Sequence, residues 1–182
     1  MKKLLSTVLL ENLAQHEGVE KGNPRGQERD AITVRDRLDR LAELDLSQVH
    51  NKLMQPDHGG QGWTREQADL AEKWYLRYLT LVIRFPKRVK HVPNGPIDAF
   101  WHQHILDTQK YHDDCNNVLG YYLHHNPYYG MNGDKEEHGQ SFKDTNALFR
   151  EVYGEDCLTM VSLFPEGEGA YCGTDGATCN NE

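Results

Sequence analysis

Five of the ten histidines, His102, His104, His112, His124 and His125, fall within 24 residues, and Asp98, Asp113 and Asp114 lie among them. Imidazole nitrogen and carboxylate oxygen are the usual donors to zinc, iron and manganese, so this mixture has the composition of a transition-metal site, with zinc or iron the first expectations. The candidate ligands are Asp98, His102, His104, His124 and His125. Spacing restricts how they combine. At 100° per residue, His102 and His104 point about 200° apart on a regular helix and do not easily hold one ion. Asp98 and His102 are four residues apart and share a face, which lets the carboxylate ligate beside the imidazole or orient it.

On the other face, Trp101, His104, Thr108, Cys115 and Leu119 read as a core-facing stripe, with Ile105 and His112 beside it. On that reading His104 and His112 are hydrogen-bonded core histidines before they are ligands. Trp101, Thr108, Tyr111 and Cys115 are expected to support the site, Tyr111 through a hydrogen bond. His124 and His125 follow a chain reversal near Gly120, so one of them can return to complete a site with His102 or His104. Neighbouring histidines usually diverge, and the sequence does not say which of the two points inward. No H-E-x-x-H, G-x-S-x-G, Walker A or Rossmann fingerprint is present.

The elements that must carry these residues are helical. Val34, Leu38, Leu41, Val49 and Leu53 recur at helical spacing and predict one amphipathic helix to about Met54. The sequence QPDHGGQGW breaks it. Thr64 opens T-R-E-Q, a capping box, and predicts a strong helix with an apolar stripe through Ala71, Trp74, Tyr75, Tyr78, Leu79, Val82 and Ile83, stopped by Pro86. The turn cluster Pro93 to Pro96 leads into a third helix, Asp98 to about Leu119, with Gly120 as its stop. A last helix is expected over Ser141 to Tyr153, closed by Gly154. The whole is an all-α protein, a small bundle of four to five helices with irregular connections. Three segments are expected: a short helix and linker over 1–30, the histidine-rich helical domain over 31–155, and an acidic tail containing Gly and Cys over 156–182.

Composition narrows the partners. The formal charge is -8, and residues 151–182 hold seven acidic residues and no Lys or Arg. A nucleic-acid binder shows a basic patch; the short one here, Lys87, Arg88 and Lys90, reads as a solvated loop, so no nucleic acid is expected. The acidic tail is a candidate contact for a protein partner. Lys2, Lys3 and LLSTVLL imitate a signal peptide, but Glu11 ends the run with no cleavage site after it, so a cytoplasmic protein without a membrane span is expected. Cys115 reads as a core thiol. Cys172 and Cys179 flank a Gly/Thr/Asp segment where a redox pair or capture of a soft metal is conceivable, although an unstructured tail is the first expectation.

The stretch I-D-A-F-W-H-Q-H-I-L-D-T-Q-K-Y-H-D-D-C, Ile97 to Cys115, followed by G-Y-Y-L-H-H-N-P, resembles the glycine-rich domain-containing protein-like family through its D-x-x-W-H-x-H core. Its recurring positions correspond here to Asp98, Trp101, His102, His104, Tyr111, Cys115, Gly120 and a histidine at 124 or 125, as in a short, bacterial-type member. The resemblance implies a mainly helical domain and carries no settled activity. RNA has been linked to plant members with long glycine-rich segments; this chain has neither such a segment nor a basic surface, so RNA binding is not transferred.

Two functions follow. The first is a metal-binding protein, which an open coordination position would make a metalloenzyme acting on water or dioxygen. The second is a non-catalytic interaction module whose histidines form a structural polar network. Five histidines with a positioned carboxylate exceed ordinary core usage, which favours the first.

Overall fold

The structure, a computed structural model, describes residues 32–164. The expected N-terminal helix, the acidic tail from 165 onward and the Cys172/Cys179 pair lie outside the described residues. Within them the chain forms six α-helices: α1 (Val34–Ala42), α2 (Ser47–Leu53), α3 (Arg65–Arg84), α4 (Gly95–Leu106), α5 (Thr108–Val118) and α6 (Lys135–Tyr153). Short 3-10 turns cover Pro56–His58 and Cys157–Leu163. No strand is present among the described residues, and none of their helices is long and apolar enough to cross a membrane.

The helix count exceeds the expected four to five because two expected helices are each broken in two. The Val34–Met54 stretch breaks at L-D-L-S, where the Asp45 carboxylate accepts the Ser47 N–H at 3.1 Å. That local bond offers the backbone an alternative to the helical ladder, and the new start buries Leu46 on the core. Val34, read as a stripe residue, is exposed. The second break falls at Asp107, which caps the end of α4 and whose side chain accepts from Lys110 N to start α5. It resets the helical phase, so the expected core stripe does not run through. Trp101, His104, Cys115 and Leu119 are buried, but Thr108 and His112 are exposed.

α3 is the central element. Its Thr64–Gln67 capping box forms as predicted, with Gln67 N donating to the Thr64 hydroxyl and Thr64 N to the Gln67 side chain. It ends at Arg84, since Phe85 precedes Pro86 and leaves the helical region. Its buried face, Ala68 through Ile83, receives α1, α2 and α4. α6 joins through an edge-to-face contact of Phe149 with Trp74, ring centroids 5.2 Å apart. α6 begins at Lys135, earlier than expected, because Asp134 gathers the Gly130 and Asn132 amides just before it. Residues 157–164, assigned from sequence to the tail, belong to the bundle: Cys157, Met160 and Phe164 are buried, and Asn94 Nδ2 donates to the Cys157 carbonyl at 2.8 Å.

A buried histidine outside the cluster makes stability pH-dependent. His91 Nε2 donates to the Phe85 carbonyl at 3.0 Å, while Nδ1 is buried with no partner. Burial pushes its pKa below the ordinary value. The unfolded chain therefore takes the proton at a higher pH than the folded one. The contribution is whole above about pH 6.5 and is lost as pH falls from there through the lowered folded value. Melting temperatures followed from pH 7.5 to 5 are expected to fall less steeply for His91→Gln than for the unaltered protein; parallel curves refute the assignment.

Candidate metal centre

α4 begins at a well-made cap. The Asn94 side chain accepts the Ile97 N–H at 3.1 Å and Pro96 occupies the first turn, where its missing N–H costs nothing. This fixes the rotation of the helix, with Ile97, Phe100, Trp101 and His104 inward. Asp98 and His102 are left along the outer edge. Their side chains retain 30% and 49% of their exposure, and Asp98 Oδ2 lies 3.7 Å from His102 Nε2.

The third member comes from the irregular chain after α5. His125 Nε2 sits 2.8 Å from the other carboxylate oxygen, Asp98 Oδ1, with its side chain only 15% exposed. Its ring lies 4.5 Å from that of His102 and meets the Trp101 ring edge to face at 4.6 Å. One carboxylate thus faces two imidazoles, and the three ligand atoms lie within 4.8 Å of one another. Donors on a common ion at about 2.1 Å stand roughly 3.0–3.5 Å apart. The distances of 2.8 and 3.7 Å bracket that range, so small side-chain rotations bring the set onto one ion.

His104, also a ligand candidate from sequence, belongs to a different arrangement. It is buried, and its Nε2 lies 2.9 Å from Asp114 Oδ2, which also receives Lys110 Nζ at 2.7 Å. An ionised carboxylate only accepts, so Nε2 carries the proton, and Nδ1 accepts from the Tyr75 hydroxyl at 3.0 Å. Burial pushes the His104 pKa down, against the opposing pull of Asp114, and holds the Tyr75 phenol far above its ordinary range. The result is a fully hydrogen-bonded Tyr75–His104–Asp114 chain in which a neutral phenol and a neutral imidazole lead to a carboxylate held by Lys110. It is committed to packing, as the core reading of His104 expected, and His104 is not among the residues brought together at Asp98.

The other candidates separate in the same way. His124 is exposed and stacks loosely on Tyr122 at 4.8 Å, so His125 is the inward member of the pair. His112 is a surface residue against Asp113 at 3.3 Å, not a core histidine. Thr108 is exposed and supports nothing at the site. Trp101 and Tyr111 are buried and bonded to each other, indole N–H to phenol oxygen at 2.8 Å. Cys115 and Cys157 are free buried thiols whose pKa values burial raises, that of Cys157 to about 12, which disfavours the thiolate a metal would need. Two partners escaped sequence reasoning. Tyr75 was hidden in an aromatic stripe, and Asp114 lies across the helix break from His104; neither carried a signal of its pairing with His104.

Fold and site together define a class: an all-helical bundle with a half-exposed cluster of two histidines and one aspartate beside a buried Tyr–His–Asp chain. A family model described as UCP032817-like matches residues 36–151, and the chain belongs to that family. The matched stretch contains every residue of both arrangements. No curated protein and no solved structure matches the chain.

Proposed function

We propose that this protein binds one transition-metal ion through Asp98, His102 and His125. The observation that carries the reading is the convergence of these three ligand atoms, one carboxylate between two imidazoles, from two separate parts of the chain. A set of two nitrogens and one oxygen without thiolate suits zinc or iron(II). Three protein ligands with His102 half-exposed leave coordination positions for water or a substrate atom, the arrangement of reactive metal sites more than of closed structural ones. Catalysis on activated water or dioxygen is the corresponding proposal for activity. The motif residues around Asp98 and His102 also support a likeness to the glycine-rich domain-containing protein-like family.

The test is elemental analysis of protein purified without a histidine tag. About one equivalent of zinc or iron is expected, and His102→Ala is expected to strip most of it. Stoichiometric metal unchanged by that substitution sinks these ligands.

The second function, a structural polar network, is favoured by a specific observation at His104, whose two ring nitrogens are both occupied by buried partners. It describes that residue and leaves the Asp98 cluster unexplained.

A further inference from the structure

Asp98 and His102 are fixed by one helix, but His125 stands between Gly120 and Asp134, where the chain forms no helix or strand. Its position has to be set by side chains. α5 ends on a left-handed Gly120, φ 76°, with the Leu119 and Gly120 amides both returning to the Cys115 carbonyl at 2.8 and 3.0 Å. The last carbonyls are covered from α1, Asn117 by Arg40 at 2.9 Å and Leu119 by Arg37. Beyond that reversal, the chain is gripped at Leu123.

Two residues of α5, one turn apart, supply the grip. The Tyr111 hydroxyl donates to the Leu123 carbonyl at 2.5 Å, and the Leu123 backbone also lies against the Cys115 thiol. Tyr111 is itself oriented from α4, since its oxygen accepts the Trp101 N–H at 2.8 Å, and the same indole packs edge to face on the His125 ring. Trp101 lies between Asp98 and His102 in sequence and touches both the clamp and the third ligand. The geometry points to Tyr111 and Cys115 as positioning residues: they clamp Leu123 so that His125, two residues on, meets Asp98 and His102, with Trp101 bracing the assembly. Metal affinity therefore depends on a hydroxyl that touches no ligand. This rests on the proposed Asp98–His102–His125 site.

Ligand-orienting partners of this kind typically govern metal affinity by about 10- to 100-fold. Zinc dissociation constants are measured by chelator competition on the full, tag-free chain for the unaltered protein, Tyr111→Phe, Cys115→Ala and Met160→Ala, with thermal melts alongside. Met160 is buried in the 3-10 turn, belongs to neither the ligand set nor the clamp, and serves as the control for lost stability. Tyr111→Phe keeps the ring and is expected to weaken zinc binding about tenfold or more. Cys115→Ala removes the weaker sulfur contact and is expected to weaken it by roughly threefold. Met160→Ala is expected to melt earlier with zinc affinity unchanged. Should Tyr111→Phe fail to fold, Cys115→Ala carries the test. Unchanged affinity in the folded clamp variants, or an equal loss in Met160→Ala, overturns the clamp while the metal site stands. Absence of zinc binding by the unaltered protein overturns the site and the clamp with it.

Discussion

Changing His125 to alanine is expected to abolish stoichiometric metal uptake, while the same change at His124 leaves it intact. The two residues are identical and adjacent, so charge, composition and local propensity are matched, and only their placement separates them. His125 is largely buried with Nε2 at 2.8 Å from Asp98, and His124 faces solvent beside Tyr122. Four-ligand zinc sites bind with about 10–16 kcal/mol, so one ligand in a smaller set is worth on the order of 3 kcal/mol, or about 100-fold in affinity. Isothermal titration with zinc, and with iron(II) under anaerobic conditions, reads this directly. Full-affinity binding by His125→Ala, or a comparable loss in His124→Ala, removes the three-residue assignment.

That contrast marks what the sequence could reveal. Asp98 and His102 were legible as a pair because both lie on one unbroken helix, where a spacing of four fixes a shared face. The capping box at Thr64 and the stop at Pro86 were legible for a similar reason: they are local hydrogen-bond and steric rules, and α3 obeys them. The inward turn of His125 was not legible, because it is set by Leu123 held from α5 and no pattern within residues 120–126 encodes it.

The breaks at Asp45 and Asp107 failed for a different reason. Apolar spacing continued across both, and a single aspartate decided each, by bonding the amide two or three residues on. Asp107–Thr108 carried a cap signal, since aspartate is a favoured N-cap, but it sat inside what looked like one long helix. Missing it led to the wrong side for Thr108 and His112. It also concealed Asp114, which reaches His104 across the bend.

Substituting His104 tests whether the histidines divide into two jobs. His104→Ala is expected to destabilise the fold severely and leave metal stoichiometry unchanged. The change opens a cavity where a fully buried ring stood, and it strips the Tyr75 hydroxyl, also buried, of its acceptor. An unsatisfied buried hydroxyl costs about 1–3 kcal/mol, and the lost packing adds a comparable amount, giving roughly 3–5 kcal/mol in all. For a domain of this size that is a fall of roughly 10 °C or more in melting temperature. Asp114 suffers less, because Lys110 still holds it and it is partly solvated. The physical origin is checked by a second substitution. Adding Tyr75→Phe to His104→Ala removes the stranded hydroxyl and is expected to recover about 1 kcal/mol, whereas Tyr75→Phe alone destabilises by leaving the His104 Nδ1 without its donor. The coupling appears as non-additivity in a double-mutant cycle by chemical denaturation. Loss of metal in His104→Ala protein that remains folded would instead join His104 to the Asp98 cluster and undo the separation of a packing histidine from the ligand histidines on the same helix.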